Sequence, residues 1–383
     1  MFNSVIISYA ELSTKGENKG QFVSQLIKNI KSVLDVEIEL YYGRQVINLN
    51  SNYNQDEIKN KLSKVFGIEH FAFAVKTENN IEVIKQTALK LLQDCKGKIK
   101  VVAKRSYKDF PMTSPDINRA VGSYVQDKLG LEADYKNPDK ICYVDITEKG
   151  AFVYTEKHKG LSGLPVGASG KVLMMLSGGI DSPVAAFMLM KRGCAVDFVH
   201  FAPQTATSEL GESKIRKLVE ALSVYQPNVK LYWVPFKDLQ MNIIPRIPSK
   251  DRLLVYKRFM LRLAEKLSNK RNYKAIASGE SIGQVASQTL ENIKAIESAV
   301  GVLVLRPLAG FNKQEIVNLA EKIGTYEISI QPYDDCCSFM ISPHPELRAS
   351  AEELEKLESS LDIDYLVKET IKKTKIVSLA DGQ

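Results

Sequence analysis

The sequence contains few cysteines and no long hydrophobic run. Five cysteines in 383 residues, an odd number without regular spacing, do not suggest the framework of a disulfide-stapled extracellular protein. No apolar stretch reaches the ~18–20 residues that a bilayer-spanning helix needs. The N-terminal residues lack a basic segment followed by a long apolar one, so they do not resemble a secretory signal. These absences predict a cytoplasmic protein.

The overall composition is that of an ordinary globular protein. Hydrophobic residues make up 44% of the chain and charged residues 25%, which excludes a disordered tail or a collagen-like fibre. At ~100–200 residues per domain, the length predicts two or three domains. The formal net charge of +7 favours a polyanionic partner without identifying one.

The positive charge is concentrated in one part of the chain. Residues 214–274 carry 15 basic and 4 acidic residues. Such a band can bind phosphate backbones with little sequence specificity, although a solvated lysine-rich helix surface explains the charge equally well. Within the band, apolar residues at helical spacing place Lys257, Arg258 and Arg262 on an anchored helix. We interpret these three side chains as groups that can be directed at a ligand.

Strands and helices alternate along the chain in two different ways. Before residue 160 the predicted elements, which include a helix over Ser114–Leu129, suit small α+β modules rather than one large sheet. Residues 160–170, GLSGLPVGASG, are the strongest boundary signal, with four Gly, two Ser and one Pro. Beyond them, short apolar strands separated by helix-length segments predict a doubly wound parallel sheet. The predicted fold class is therefore α/β and α+β multidomain.

The most informative motif is SGGIDS, residues 177–182, which lies between an apolar strand and a helix predicted to begin at Pro183. Adjacent glycines bring backbone N–H groups close to a ligand, and the helix directs its positive end at the same place. Asp181 would repel bare phosphate unless Mg²⁺ bridges it to a nucleotide. The motif is neither a Walker A loop nor a GxGxxG fingerprint. A tight strand-to-helix turn without a ligand is the alternative interpretation.

This motif resembles the SGGxDS loop of the PP-loop ATP pyrophosphatases. Together with ASGESIGQVASQTLENI and LRPLAGFNKQEIVNLA, the segment around it resembles the tRNA 4-thiouridine synthetase family, the ThiI-type tRNA sulfurtransferases. The likeness covers nearly the whole chain and includes SPDINRAVGSYVQDKLG. It implies an N-terminal ferredoxin-like domain at 1–53, a THUMP RNA-binding domain at 54–161 and a doubly wound parallel-sheet PP-loop domain at 162–383.

The resemblance implies an ATP-dependent tRNA sulfurtransferase. ATP with Mg²⁺ would adenylate the C4 oxygen of a tRNA uridine at position eight, with release of pyrophosphate. Persulfide sulfur would then displace AMP and give 4-thiouridine. The resemblance also implies tRNA and a cysteine desulfurase as partners, and a homodimer as the assembly.

Matching the family's motifs residue by residue gives the candidate site. Catalytic roles fall on Asp181, which would also meet Mg²⁺ through the nucleotide, and on Lys313. ATP contacts fall on strand ends and loops of the last domain: Met175, Leu176, Ser177, Gly178, Gly179, Ser182, His200, Phe201, Lys257, Gly279 and Gln288. RNA contacts fall on basic residues: Lys104, Arg105, Arg119, Arg258 and Arg262. For His200, a purely structural role is the alternative, since a lone histidine at a strand end is more often structural.

Sulfur transfer also requires a thiol. Cys95, Cys142 and Cys194 lie in or beside apolar elements, so we predict that they are core residues. Cys336 and Cys337 lie instead in a Pro-rich segment, QPYDDCCSFMISPHP, where the family carries a catalytic cysteine. Matching the family's sequence without gaps from Lys313 onwards selects Cys336 as the catalytic cysteine. Cys337 is the alternative.

Two departures from the family pattern affect its cofactors. Only 46 residues follow Cys337, too few for the rhodanese domain that many members carry. We therefore expect the second thiol to be absent, supplied by another protein, or the neighbouring cysteine. Some archaeal-type relatives hold an iron–sulfur cluster on a CxxC motif, but Leu253 and Tyr256 occupy the matching positions here. We expect no cluster.

Two rival functions fit parts of the sequence. One is another PP-loop enzyme, such as a 2-thiolating tRNA enzyme or an amidotransferase-like synthetase. The THUMP-like half and the adjacent cysteines argue against it. The other is a tRNA-binding protein with a vestigial ATP site. The joint presence of Ser177, Asp181, Ser182, Lys313 and Cys336 argues against that second function.

Overall fold

The structure is a computed structural model of the chain. It describes residues 2–9, 11, 16, 18–41, 44–50, 52–202, 209–333 and 342–377. The chain folds into two compact units, Met1–Pro165 and Val166–Gln383. In the described ranges no helix is both long and apolar enough to cross a membrane.

The first unit alternates strands and helices. In chain order these are β1 (Ser4–Ser8), α1 (Lys19–Val33), β2 (Ile38–Tyr41), β3 (Arg44–Asn48), α2 (Gln55–Leu62), β4 (His70–Thr77), α3 (Ile81–Leu92), β5 (Ile99–Arg105), α4 (Ser114–Leu129), β6 (Lys140–Thr147), β7 (Gly150–Tyr154) and β8 (His158–Lys159). Helix α4 begins where Thr113 and Asp116 form a capping box, with Pro115 in the first turn. The start and end predicted for this helix are confirmed.

The strands of this unit belong to one sheet. Their order is β2-β3-β1-β4-β7-β6-β5, with β8 also paired to β4. Residues 70–74 of β4 pair with β1, and residues 75–77 pair with β7. The expectation that these elements do not share one large sheet is wrong, because the eight residues of β4 are long enough to pair with strands of both halves.

Side chains of β4 alternate between the two faces of this sheet, as expected for a pleated strand. Phe71 and Phe73 belong to a core that includes buried residues of α1 and α2. Ala72 and Ala74 belong to a second cluster with Tyr154. The helices therefore cover one face, while the second cluster lies on the other.

The second unit contains the larger α/β domain. Its elements are β9 (Lys171–Met175), α5 (Asp181–Lys191), β10 (Ala195–Ala202), α6 (Glu209–Ser223), β11 (Leu231–Pro235), α7 (Lys237–Ile243), α8 (Arg252–Arg271), β12 (Ala275–Ala277), α9 (Leu290–Glu297), β13 (Val304–Leu305), α10 (Lys313–Lys322), α11 (Tyr326–Ser329), α12 (Ala351–Glu358), α13 (Ile363–Lys372) and β14 (Lys375–Val377). A 3₁₀ turn spans Ala286–Gln288. Helix α8 buries Leu254, Phe259 and Leu263, which confirms its predicted apolar stripe.

The sheet of this unit has the order β13-β12-β9-β10-β11-β14. Its strands run parallel except β14, which pairs antiparallel with β11. The chain proceeds from β9 to β10 and β11 on one side, then returns to β12 and β13 on the other. Strand order therefore reverses at β9. In open α/β sheets, ligands bind at the carboxyl ends of the strands beside such a reversal.

Candidate active site

A cavity of about 460 Å³ lies at the carboxyl ends of β9, β10 and β12. Ten of the predicted catalytic and ATP-contact residues line it: Met175, Leu176, Ser177, Asp181, Ser182, His200, Phe201, Lys257, Gly279 and Gln288. Gly178 and Gly179 belong to the same loop but do not line the cavity. The structure thus brings together residues from four separate stretches of the sequence.

The loop after β9 is held by serine hydroxyl groups. The Oγ of Ser182 accepts a hydrogen bond from the backbone N–H of Ser177 at 3.0 Å. The backbone N–H of Gly179 donates to the Oγ of Ser177 at 3.3 Å. Helix α5 begins at Asp181, two residues before the predicted start at Pro183. Asp181 and Ser182 therefore lie in the first helical turn, where N–H groups lack intrahelical partners and the helix dipole is positive.

Gly279 allows the residues after β12 to pack directly on this helical turn. A Cβ atom at Gly279 would lie 2.6 Å from the backbone N of Ser182 and 2.7 Å from its Cα. These are backbone atoms, which cannot move aside as a flexible side chain can. The close approach therefore depends on the missing side chain.

Asp181 receives hydrogen bonds from two other parts of the domain. Its Oδ1 accepts from the Nζ of Lys313 at 2.5 Å, and its Oδ2 accepts from the Nε2 of Gln284 at 3.0 Å. Lys313 is the first residue of α10, whose start is fixed by a capping box between Asn312 and Glu315. The side chains of Asp181 and Lys313 are 21% and 50% exposed. Both remain accessible to a ligand that enters from solvent.

Glu280 is a carboxylate in the cavity wall that is absent from the candidate residues predicted from the sequence. Its Oε1 accepts from the Nζ of Lys257 at 2.6 Å, and its Oε2 accepts from the Nε of Arg306 and the Oγ of Ser278, both at 3.0 Å. Burial alone would raise the pKa of Glu280, but Lys257, Arg306 and Ser278 lower it to about 2. The sequence signal that could have identified Glu280 is its position directly after Gly279, just beyond the end of β12.

Glu280 should stabilise the second unit while it is ionised. Its folded pKa of about 2 lies below the ordinary value of 4.5, so the stabilisation is complete above about pH 4.5 and is lost as the pH falls towards 2. We expect Glu280→Gln to lower the melting temperature at pH 7 by at least about 4 °C. The difference from the wild type should shrink between about pH 5 and pH 3.

Tryptophan fluorescence can measure this effect, because the only tryptophan of the sequence is Trp233 in β11 of the second unit. Its thermal transition therefore reports on the unit that contains Glu280. Glu291→Gln, a change at an exposed position of α9 in the same unit, is the control. A melting difference that grows on acidification would contradict the assignment.

His200 connects the end of β10 to two other segments. Its Nδ1 donates to the carbonyl oxygen of Leu176 at 2.8 Å, and its Nε2 accepts from the hydroxyl of Tyr333 at 2.7 Å. The proton is assigned to Nδ1 because a carbonyl oxygen can only accept. His200 is buried and therefore has a structural role, the alternative noted from the sequence, in addition to lining the cavity.

Three of the predicted RNA contacts lie in the first unit. Lys104, in β5, and Arg119, on α4, are exposed. Arg105 donates to the backbone carbonyl groups of Lys108 and Phe110 at 3.0 and 2.9 Å, which holds its guanidinium against its own chain. RNA binding by these three residues stays a prediction.

Arg258 and Arg262, the other two predicted RNA contacts, both pair with a glutamate of another helix. Arg258 is 1% exposed, and its Nε donates to Glu358 at 3.0 Å. Arg262 donates to both carboxylate oxygens of Glu358 at 2.7 Å. These ion pairs tie α8 to α12. The prediction that Arg258 binds RNA is wrong, because a buried, paired guanidinium cannot meet a phosphate without losing its partner. Arg262 is 15% exposed, and RNA binding by this residue stays a prediction. Of the three basic residues predicted to face a ligand, Lys257 lines the cavity.

The candidate persulfide carriers Cys336 and Cys337 lie outside the described residues. Cys142 is fully buried, and burial raises the pKa of its thiol to about 12, which confirms it as an inert core residue. Cys95 and Cys194 are partly buried. Within the described ranges, no group of three or more His, Cys, Asp or Glu side chains could hold a metal ion.

The sequence of this chain is similar to a known protein family over most of its length. The family model described as "Thiamine biosynthesis protein (ThiI)" matches residues 167–363. A probable tRNA sulfurtransferase from Listeria monocytogenes serovar 1/2a is 39% identical over 99% of this chain and 96% of its own length. The chain belongs to the ThiI family. This confirms the resemblance found in the sequence.

The first unit also matches domains found in the ThiI family. The model for the ThiI ferredoxin-like domain matches residues 4–72, and that for the THUMP domain matches residues 78–156. The predicted ferredoxin-like, THUMP and PP-loop fold class is thereby confirmed. The matched ranges meet near β4, the strand shared by both halves of the first sheet, and the predicted boundaries at 53/54 and 161/162 stay predictions.

Two further relatives extend the comparison with the ThiI family. A probable tRNA sulfurtransferase from Brevibacillus brevis is 37% identical over 98% of this chain and 96% of its own length. A solved structure described as "Crystal structure of a 4-thiouridine synthetase - RNA complex with bound ATP" has a TM-score of 0.90 and 36% identity, and covers 98% of this chain and 99% of that chain. The likeness extends over both units.

Proposed function

We propose that this protein is an ATP-dependent tRNA sulfurtransferase that converts a tRNA uridine, at position eight, to 4-thiouridine. The observation that carries the proposal is the meeting of Asp181 and Lys313 at the SGGIDS loop, beside a cavity at the reversal of strand order. The similar solved structure is a 4-thiouridine synthetase in complex with RNA and ATP, which supports the same pair of ligands here.

The cavity provides separate surroundings for the parts of ATP. Phe201 and Met175 offer apolar contacts for the base at the strand ends. The Oε1 of Gln288 is buried and has no hydrogen-bond partner among the described residues. A buried acceptor without a partner is costly, and a ligand N–H or O–H, such as the amino group of adenine, would satisfy it. The phosphates would meet the N–H groups of the loop at the start of α5.

Magnesium would enter this site together with ATP. Mg²⁺ is commonly bound by one or two carboxylates, substrate phosphates and water rather than by a dedicated protein cage. Asp181 offers such a carboxylate, and its donor chemistry fits Mg²⁺ when the nucleotide supplies the other oxygens. When bound, the ion would neutralise phosphate charge. The prediction of no iron–sulfur cluster stands on the sequence.

The first half of the proposed reaction activates the uridine. Its C4 oxygen attacks the α-phosphorus of ATP, the bond between the α- and β-phosphates breaks, and pyrophosphate leaves while the base loses its N3 proton to solvent. The ammonium group of Lys313 would stabilise negative charge that develops on the phosphoryl oxygens. Asp181 holds that ammonium in place at the loop.

The second half replaces oxygen with sulfur. A persulfide on Cys336, or on Cys337, attacks C4 with its terminal sulfur, and AMP leaves with the former uridine oxygen. A second thiol then attacks the protein cysteine's sulfur, which releases 4-thiouridine and leaves a disulfide. A dithiol reductant returns that disulfide to two thiols with two electrons. A cysteine desulfurase would load the persulfide.

The remaining parts of the proposal concern RNA and assembly. The first unit, which contains the THUMP domain, would bind the acceptor end of the tRNA, with Lys104 and Arg119 as exposed candidates for phosphate contacts. A homodimer, as the family resemblance implies, would allow one subunit to hold RNA for the site of the other.

Nucleoside analysis tests the proposal directly. Protein incubated with unmodified tRNA, ATP, Mg²⁺, a cysteine desulfurase with free cysteine, and dithiothreitol should produce 4-thiouridine. Cys336→Ser should stop thiolation but leave pyrophosphate release, because the thiol acts after adenylation. Cys95→Ser, a change at a partly buried cysteine of the other unit, should leave both products unchanged.

Each alternative gives a different result in this assay. The appearance of 2-thiouridine, or of no thiolated nucleoside while the desulfurase is active, would refute the proposed function. Loss of thiolation in Cys337→Ser, with Cys336→Ser active, would move the persulfide to Cys337. tRNA binding without pyrophosphate release would favour the vestigial ATP site.

A further inference from the structure

Lys214 is a buried cation that the proposed mechanism does not use. It lies on α6 and is 4% exposed. Its Nζ donates to the carbonyl oxygens of Ser329 at 2.9 Å and Gln331 at 2.6 Å, and lies 5.5 Å from the ring centroid of Tyr333. An ammonium group is costly to bury. Here the burial ties α6 to one short stretch of chain, residues 329–333.

The same stretch reaches the phosphate loop at its other end. The hydroxyl of Tyr333 donates to the Nε2 of His200 at 2.7 Å. The ring of Tyr333 lies against Gly178, where an added Cβ would be 2.6 Å from the nearest ring carbon. His200 in turn donates to the carbonyl of Leu176, immediately before the loop. A continuous series of contacts therefore runs from Lys214 to the SGGIDS loop.

Covalent connectivity relates this stretch to the candidate cysteines, although residues 334–341 lie outside the described part of the chain. Cys336 and Cys337 follow Tyr333 by three and four residues in the sequence. A change in the position of Tyr333 is therefore passed to the chain that leads directly to either candidate thiol, because only a few peptide bonds separate them.

We propose that Lys214 is a positioning residue for the sulfur-transfer step and that it acts through Tyr333. The inference rests on the proposed function. Lys214 does not line the cavity, so its loss should leave adenylation largely intact and weaken delivery of the persulfide. An adenylated uridine that meets no persulfide reacts with water at C4, which returns uridine and AMP. Pyrophosphate would then form without a matching amount of 4-thiouridine.

The test compares two products in one reaction. Lys214→Met is assayed with tRNA, ATP, Mg²⁺, a cysteine desulfurase with cysteine, and dithiothreitol, and both pyrophosphate and 4-thiouridine are measured. We expect 4-thiouridine formation to fall about tenfold or more, since small displacements of reacting groups cost that much, while pyrophosphate release stays within about twofold. Lys217→Met, at an exposed position of the same helix, should keep the wild-type ratio.

A merely structural role for Lys214 predicts a different result. Both products would then fall together, and this outcome, or an unchanged ratio, would overturn the proposal. Tyr333→Phe provides a second test if Lys214→Met does not fold, because it removes only the hydroxyl that binds His200. We expect it to raise the ratio of pyrophosphate to 4-thiouridine at least about threefold, and an unchanged ratio would overturn the proposal.

The wild-type protein separates this inference from the proposed function. A wild type that forms no 4-thiouridine in the presence of active desulfurase refutes the function, and the positioning role with it. A wild type that thiolates tRNA, beside a Lys214→Met variant whose two products decline in parallel, refutes only the positioning role.

Discussion

Gly279→Ala should weaken ATP binding by about ten- to hundredfold and reduce pyrophosphate release accordingly. The new methyl group would lie 2.6 Å from the backbone N of Ser182 and 2.9 Å from the carbonyl carbon of Asp181. Because these atoms belong to the first turn of α5, the strain cannot be relieved by a change of rotamer. Overpacking of this kind costs about 1–3 kcal/mol, and every 1.4 kcal/mol corresponds to about tenfold in affinity.

Isothermal titration calorimetry with ATP and Mg²⁺ measures this effect. Gly310→Ala is the matched control, since an added Cβ there has no atom within 4 Å. Its ATP affinity should equal that of the wild type. Wild-type affinity in Gly279→Ala would show that the contact between the β12 loop and α5 does not shape the nucleotide site.

Asp181→Asn should reduce pyrophosphate release by at least about a hundredfold. The amide keeps the shape of the side chain but removes the negative charge that pairs with Lys313 and that would meet Mg²⁺ on the nucleotide. Affinity for tRNA should stay within about twofold, because the substitution changes no group on the first unit, which we propose binds the tRNA. A pyrophosphate assay and a filter-binding measurement on the same preparation separate the two effects.

Asp238→Asn is the control for this charge change. Asp238 is an exposed carboxylate of the same unit, paired with Lys373 at 2.7 Å, and its neutralisation should alter neither measurement. A large loss of tRNA affinity in Asp181→Asn would show that the carboxylate acts in RNA binding, and near-normal pyrophosphate release would remove it from the catalytic site.

Much of the second unit could be predicted because its signals are local. Each parallel strand is a short apolar run next to glycine or a polar turn, and such a run is legible within a few residues. The SGGIDS loop was likewise recognisable from adjacent residues. The predicted helix start at Pro183 was wrong by two residues, since α5 begins at Asp181. Proline fits several positions of the first turn, where N–H groups need no intrahelical partner, and so does not mark the first residue by itself.

The single sheet of the first unit was not predictable in the same way. A strand's length shows how many residues can pair, but not how many neighbours it has. β4 pairs with β1 through one part of its length and with β7 through another. Backbone pairing between distant segments leaves no periodicity in the sequence, so two modules and one shared sheet give the same local pattern.

The basic residues of α8 show most clearly that a local sequence pattern does not predict the contacts of a side chain. Lys257, Arg258 and Arg262 share one helix and one charge, yet Lys257 lines the cavity while the two arginines bind Glu358. Their partners lie far along the chain, and burial of Arg258 depends on the packing of α12. Charge and spacing therefore predicted a basic helix but could not assign its contacts.

Order along the chain, the apolar strands, the phosphate loop and the family motifs are all legible in the printed residues, because each depends on interactions within a few positions. The site is different. The pairing of Asp181 with Lys313, the ionised Glu280 between Lys257 and Arg306, and the hold of Lys214 on residues 329–331 follow from packing between distant elements. These contacts exist only once the sheet has brought the elements together, since ion pairs and hydrogen bonds act over a few ångströms.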